Sequence, residues 1–99
     1  MEYILVQHEG FKEEYLNQIK LLEGVSSDEL VSRYNREVDI GIVGVYAQGI
    51  FLAALRIAFI KKFKQSPILI KDNVIIRLTD KVKIKEDALY YFNNERVGR

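Results

Sequence analysis

The residues best suited to acid–base chemistry are His8, the single histidine, and the adjacent Glu9. An imidazole beside a carboxylate can serve as a general base. No nucleophile motif accompanies this pair, however, and adjacency along the chain does not by itself bring two side chains together. Ser26 and Ser27 stand before a predicted helix, where serine acts as a cap. The sequence therefore predicts no catalytic residue and a protein that is not an enzyme.

The sequence also lacks residues suited to binding a metal ion or a cofactor. The chain has no cysteine and one histidine, which excludes thiolate sites and clusters of imidazole ligands. The acidic residues between positions 72 and 87 fall in predicted turns and match no calcium loop. The glycines at 41, 44 and 49 lack the spacing of a dinucleotide-binding loop. We therefore expect no metal ligand, no cofactor and no small-molecule substrate.

Basic side chains are distributed unevenly along the chain. The formal net charge is +1, yet residues 1–38 carry four basic and eight acidic side chains, and residues 56–85 carry nine basic and two acidic ones. Attraction between these two parts, within one chain or between copies, is the simplest explanation, and an anionic partner is the other. The basic residues that predicted strands would hold toward solvent are Lys71, Arg77, Lys81, Lys83 and Lys85.

These basic residues have two interpretations. If Val82 and Ile84 face the core, the neighbouring lysines share the solvent side of the sheet. One of two aromatic sets would join them there, and the sets are Tyr90 with Phe92 or Leu89 with Tyr91. Such a face could bind single-stranded nucleic acid by charge and stacking. Lysines on strands also discourage aggregation between sheet edges, so the row does not require a partner.

Three glycines recur in the most apolar part of the chain, at Gly41, Gly44 and Gly49. Small residues on a helix let another backbone approach closely. That approach could occur within the fold or across an interface between two copies. Self-association through these glycines is our hypothesis for the interaction surface.

The first part of the chain predicts a strand and two helices. The short apolar run at residues 3–6 is typical of a buried strand. Apolar residues three or four positions apart predict an amphipathic helix over 11–22, with Gly24 at its C-terminal end. A second helix begins at Ser26, whose spacing from Glu29 is that of a capping box.

The middle of the chain is almost uniformly apolar. Residues 40–60 contain only two strongly polar side chains, Gln48 and Arg56. Such a helix is either central in a fold or inside a membrane, and the run is long enough to span. The cost of inserting Arg56 and the three glycines argue against a span. We predict a central apolar helix over about 39–64, with a strand as the alternative for 39–45.

The last third predicts antiparallel strands. Two apolar runs flank a turn at 71–73 and form a hairpin over 68–78, and residues 81–85 alternate as a half-buried strand does. Residues 88–92 predict a further strand, with a helix as the alternative. The polar tail from about 93 to 99 is expected to be loose.

Together these elements predict an α+β fold, with three helices packed on a C-terminal antiparallel sheet and a short N-terminal strand. Residues 1–99 are predicted to form a single domain. The absence of cysteine and of a secretory signal suits a cytoplasmic protein. We predict a small non-catalytic protein–protein interaction or oligomerisation module, whose partner is another protein or a second copy. The alternative is a nucleic-acid-binding accessory protein with a basic sheet face; a membrane partner is not expected.

Overall fold

The computed structural model of the protein describes residues 2–4, 10–72 and 75–98. Its three helices pack with two antiparallel sheets, which confirms the predicted α+β class. His8, Glu9, residues 5–6 of the predicted first strand and part of the predicted 71–73 turn lie outside the described residues. The elements in chain order are β1 (Glu2–Ile4), α1 (Phe11–Glu23), α2 (Ser27–Ile40), α3 (Tyr46–Phe63), β2 (Ile68–Lys71), β3 (Ile75–Leu78), β4 (Val82–Lys85) and β5 (Ala88–Tyr91).

The first two helices form where the periodicity predicts them. The α2 helix begins with a side-chain cap, because Ser26 Oγ accepts a hydrogen bond from the Glu29 N–H at 3.2 Å. Gly24 follows the end of α1, but its φ of −89° is one that any residue can adopt. Leu22 of α1 and Leu30 of α2 are buried in the common core. Local capping and a periodic apolar face therefore account for both helices.

The third helix is central in the fold. It contacts α1, α2, β2 and β3, and buried residues occur all around it, as its uniform hydrophobicity predicts. No helix within the described residues combines the length and the hydropathy needed to cross a membrane.

The predicted start of this helix at about residue 39 is wrong. The α2 helix continues to Ile40, and residues 41–45 form an irregular loop that is neither helix nor strand. Gly41 has a φ of 83° and Gly44 a φ of 80°, conformations that an α-helix does not contain. These two glycines therefore separate one apolar run into the end of α2, a loop and α3.

The strands form two sheets where the sequence predicted one. The first sheet has the order β1-β3-β2, and the second is the β4-β5 hairpin. The strand at 88–92 is confirmed over β5, after a two-residue turn in which Glu86 and Asp87 both have positive φ. The β1 strand pairs with β3, but Ile4 is exposed, so the expectation of a buried strand is wrong at that residue. Pairing between β1 and β3 is non-local and leaves no signal in either segment alone.

The C-terminal tail was predicted to be loose, and its described residues are instead packed. Val97 is fully buried, and its N–H donates to the Leu89 carbonyl at 3.1 Å. Tyr91 N–H donates to the Glu95 carbonyl at 2.7 Å, and Arg96 forms an antiparallel bridge with Tyr90. The tail therefore runs along the second edge of β5. The burial of Val97 and these backbone contacts together anchor a segment that is otherwise polar.

Candidate functional site

The most connected polar cluster joins α2 to the segment between the two sheets. The hydroxyl of the fully buried Tyr34 accepts the Thr79 N–H at 3.1 Å and lies 3.2 Å from the Asp80 carbonyl oxygen. The Thr79 hydroxyl donates to the Pro67 carbonyl at 2.8 Å and accepts from the Tyr91 hydroxyl at 3.0 Å. These bonds satisfy both side chains and the irregular backbone around them.

The electrostatics of this cluster are those of a structural site. Burial raises the pKa of the Tyr34 hydroxyl to about 12, so the group keeps its proton near neutral pH. A hydroxyl that is protonated, enclosed and fully hydrogen-bonded does not serve as a base for a substrate. Tyr34 therefore fixes the path of the chain between the two sheets.

Asn35 continues this junction along β4. Its side-chain amide donates to the Val82 carbonyl at 2.9 Å, and its Oδ1 accepts the Val82 N–H at 2.9 Å. The amide thus replaces a neighbouring strand at this position of the β4 edge. One helix turn later, Asp39 forms an ion pair with Lys81 at 2.5 Å. Two side chains of α2, one turn apart, therefore cover the start of β4.

The fold divides the predicted basic set. Lys71 and Arg77 belong to the first sheet, where they line a shallow depression with Leu69 and Ile75. The remaining three lysines, Lys81, Lys83 and Lys85, precede or occupy β4 of the second sheet. The five residues therefore do not share one sheet. The sequence suggested a common face because it contains no signal for the division between β3 and β4.

The second sheet has a continuous basic and aromatic surface. Lys83 lies directly opposite Tyr90 on β5, and Tyr90 in turn lies opposite Arg96 of the tail. Directly paired residues project to the same side of a sheet, so these three form a row across it. The Lys85 ammonium lies 5.7 Å from the centre of the Tyr90 ring. We call Lys83, Lys85, Tyr90 and Arg96 the hairpin face.

The structure decides between the two aromatic sets that the sequence left open. Leu89 is fully buried, and the Tyr91 hydroxyl is bonded to Thr79 in the junction. Tyr90 is half-buried on the hairpin face, and Phe92, just beyond β5, is exposed. Of the aromatic residues in the two sets, Tyr90 is therefore the one that the structure places on the basic side.

The loop between α2 and α3 exposes apolar side chains. Ile40, Val43 and Val45 are 57%, 60% and 53% exposed. We call residues 40–45 the apolar loop. Isolated exposed apolar residues are ordinary, whereas three within six positions form a cluster of the kind found at interaction sites. The loop could not be recognised from the sequence because its apolar residues continue the hydrophobic pattern of α3 and were predicted to form the first turns of that helix.

Hydrogen bonds of the Gln48 side chain help to hold the apolar loop in place, together with Ile42, which packs against the core. Gln48, in the first turns of α3, accepts the Val43 N–H at 2.9 Å and donates to the Gly41 carbonyl at 3.0 Å. Its amide nitrogen also lies 3.4 Å from Glu37 Oε1 on α2. The loop is therefore tied to both helices that it connects. Its two positive-φ glycines allow the chain to turn twice within five residues.

The three glycines proposed for self-association lie in different environments. Gly41 and Gly44 belong to the apolar loop, and only Gly49 is part of α3. Gly49 is buried in the fold, so its surface is already used within the chain. Gly44 is exposed, and no atom lies within 4 Å of the place that a Cβ would take. Gly41 and Gly44 therefore do not allow close packing of a helix, because they lie in the apolar loop outside any helix.

An ion pair connects the acidic part, residues 1–38, with the basic part, residues 56–85, within one chain. Glu23 at the end of α1 lies 3.4 Å from Lys61 of α3. The pair between Asp39 and Lys81 adds a second contact just beyond the acidic part. Both pairs are largely exposed, so each contributes on the order of 0–1 kcal/mol to stability. Some charges of residues 1–38 and 56–85 therefore pair with each other within one chain.

Among residues 2–4, 10–72 and 75–98, no three His, Asp or Glu side chains lie close enough together to hold a metal ion. Comparison with known proteins identified no matching family, curated protein or solved structure.

Proposed function

We propose that this chain is a small non-catalytic interaction module of the cytoplasm that associates with a second copy of itself through the apolar loop. The observation that carries the proposal is the exposure of Ile40, Val43 and Val45 on a loop held by Gln48. Burying these side chains against another protein surface removes apolar area from water, at about 25 cal/mol per Å². A clustered apolar surface of this kind favours association.

The hydrogen bonds of Gln48 support a binding role for the loop. A flexible loop loses conformational freedom when it binds, which costs about 0.5–1.5 kcal/mol for each immobilised side chain of high rotamer freedom. The apolar loop is already tied at Val43 and Gly41, and Val43 and Val45 have β-branched side chains with few rotamers. The apolar loop should therefore lose little conformational freedom when it binds a partner.

The charges beside the loop favour a second copy as the partner. The last two turns of α2 carry charges of both signs, on Arg36, Glu37 and Asp39. Within the chain, Asp39 already pairs with Lys81, and Glu37 Oε1 lies 3.4 Å from the Gln48 amide nitrogen. In a two-fold interface each surface meets its own equivalent, so a single sign would repel itself and a mixture can pair. A stable interface buries about 800 Å² on each partner, more than a few loop residues supply. The surface of α2 would have to join the loop in the contact.

Two of the three glycines keep a role in this proposal. Gly41 and Gly44 shape the loop through their positive φ, and the open space at Gly44 would let a second backbone approach. Gly49 contributes to the packing inside the fold instead.

The test compares two matched substitutions by sedimentation over a range of protein concentrations. Val43→Asp places a charge in the apolar loop, while Leu21→Asp places the same charge on α1, where Leu21 is 69% exposed. We expect the unmodified chain and Leu21→Asp to associate with rising concentration and Val43→Asp to remain monomeric. A monomeric unmodified chain, or equal association of both variants, would contradict the proposal.

Salt distinguishes this surface from association by charge. Acidic residues of 1–38 on one copy against basic residues of 56–85 on another would give association that weakens as salt rises. At about 1 M salt the screening length is ~3 Å, and apolar contacts persist. We expect association to remain at that concentration. Complete dissociation there would favour the charge-based interface over the apolar loop.

A further inference from the structure

We infer that the hairpin face, on the second sheet, binds single-stranded nucleic acid by stacking a base on Tyr90 and holding the phosphates with Lys83, Lys85 and Arg96. This surface is separate in the chain from the apolar loop, so the inference does not depend on the proposed self-association. It also differs from the five-residue basic set expected from the sequence, because Lys71 and Arg77 lie on the other sheet.

The arrangement of the row is the first argument. Lys83, Tyr90 and Arg96 lie opposite one another on β4, β5 and the tail, so the aromatic residue is flanked by two basic ones. Neighbouring strands lie about 4.8 Å apart, so the backbones at Lys83 and Arg96 are about 10 Å from each other across the sheet. A single strand bound along such a row could stack a base on the ring and direct its phosphates to either side. Sequence-tolerant binding of this kind combines a charged track with an aromatic platform.

The partners of the basic side chains are the second argument. Lys81 and Lys61 are each engaged by a carboxylate, Asp39 and Glu23 respectively. Lys83 instead donates to the neutral Asn94 Oδ1 at 2.7 Å, and Lys85 lies over a ring. Within the described residues, no ion pair neutralises Lys83, Lys85 or Arg96. Their positive charge therefore remains available to an anionic ligand.

The acidic residues nearby are placed away from the row. Glu86 and Asp87 form the turn at the end of the hairpin, and Glu95 is bonded through its carbonyl to Tyr91, outside the Lys83–Tyr90–Arg96 register. They reduce the net charge of the region, so binding should be weak and should depend strongly on salt. With three cations involved, the logarithm of the affinity should fall with the logarithm of salt concentration at a slope of about −2.

Lys85 has to move for a base to reach the ring. It covers the Tyr90 ring at 5.7 Å in the free chain. An exposed contact between an ammonium and a ring is weaker than stacking of a nucleic-acid base on an aromatic side chain. A base can therefore displace the ammonium, which then remains beside the phosphates.

The experiment uses the full chain and a fluorescent mixed-sequence oligonucleotide at low salt, as single-stranded RNA, single-stranded DNA and a DNA duplex. We expect both single strands to bind and the duplex to bind at least about tenfold more weakly, because its bases are not open to stacking. No binding of either single strand, or equal binding of the duplex, would overturn the inference.

Two pairs of variants locate the site. Lys83→Glu with Lys85→Glu should abolish binding, whereas Lys12→Glu with Lys20→Glu makes the same change of charge on exposed α1 positions and should retain it. Equal losses in both pairs would mean that overall charge, and not this face, attracts the ligand. Tyr90→Ala should weaken binding by about 5- to 150-fold and Tyr90→Phe should retain it, since phenylalanine also stacks. Retention in Tyr90→Ala would contradict the stacking role.

Failure of this inference and failure of the proposed self-association can be told apart. Val43→Asp removes the apolar loop as an interface and leaves the hairpin face unchanged. We expect that variant to bind the oligonucleotide as the unmodified chain does, while Lys83→Glu with Lys85→Glu should still associate with itself. Loss of binding in Val43→Asp would contradict independent binding by the hairpin face.

Discussion

The α2 helix adjoins two regions that reverse the usual distribution of polar and apolar groups. In the junction at Tyr34 and Thr79, hydroxyl and backbone groups are buried, and hydrogen bonds connect them. In the apolar loop at 40–45, aliphatic side chains are exposed, although their backbone is equally well tied down. Burial of polar groups is explained inside the chain, because they satisfy each other. No contact within the described residues explains why the apolar side chains of the loop are exposed. We therefore propose a structural role for the junction and a binding role for the apolar loop.

The largest change in the free energy of unfolding should come from deprotonating the Tyr34 hydroxyl in the junction. The folded chain holds the Tyr34 proton up to a pKa of about 12, whereas an unfolded chain releases it near pH 10. Between these values the folded state binds more protons, so the free energy of unfolding falls as pH rises. The contribution is fully present below about pH 10, and the loss by pH 12 should be about 2–3 kcal/mol.

Urea denaturation at intervals from pH 9 to 12 measures this loss, and Tyr34→Phe is the control. That variant keeps the other titrating residues and lacks the Tyr34 hydroxyl, so its stability should fall less over the same interval. A fall of equal size in both chains would mean that Tyr34 is not held protonated by the junction.

A smaller loss of stability is expected when the hydrogen bonds between the Asn35 side chain and β4 are removed. Asn35→Ala removes the donor and the acceptor that satisfy the Val82 backbone, which should lower the free energy of unfolding by about 1–2 kcal/mol. Ser32→Ala, at an exposed position of the same helix, should change it by less than about 0.5 kcal/mol. Equal stabilities of the two variants in urea would show that solvent replaces the Asn35 bonds without cost.

The smallest change in stability should come from loosening the apolar loop. Gln48→Ala removes the bonds to Val43 and Gly41, and we expect a loss of about 1 kcal/mol. Self-association should weaken as well, because a loop free to move loses more conformational freedom on binding. Denaturation and sedimentation of the same sample measure both effects. Undiminished association would mean that the loop does not need to be held in order to bind.

Local signals predicted most of the secondary structure. Ser26 and Glu29 marked the start of α2, and the alternation of lysine with Val82 and Ile84 marked β4, because each depends on residues close together in sequence. The apolar loop could not be distinguished from α3 in the sequence, because the residues of both segments are mostly apolar. Gly41 and Gly44 were the available signal, since two glycines three positions apart in an apolar run favour a turn over a helix.

Features that depend on distant pairing could not be predicted. The first sheet needs β1 to pair with β3, and the tail is fixed by the position of Val97 beside Leu89. The hairpin face depends on the same pairing, because Arg96 joins Tyr90 only when the tail follows β5. The sequence therefore suggested Lys83 and Lys85 correctly as neighbours, and it gave no reason to add Arg96 or to separate Lys71.

Hydrogen exchange of backbone amides, compared between dilute and concentrated protein, tests the role of the apolar loop most directly. The chain exposes this loop as a monomer, so contact with a second copy should slow exchange there. We predict slower exchange at residues 41–45 and the last turn of α2 in the concentrated sample, with no change in α1 around Leu21. Unchanged exchange in the loop, in a sample that sedimentation shows to be associated, would place the interface elsewhere and contradict the proposal.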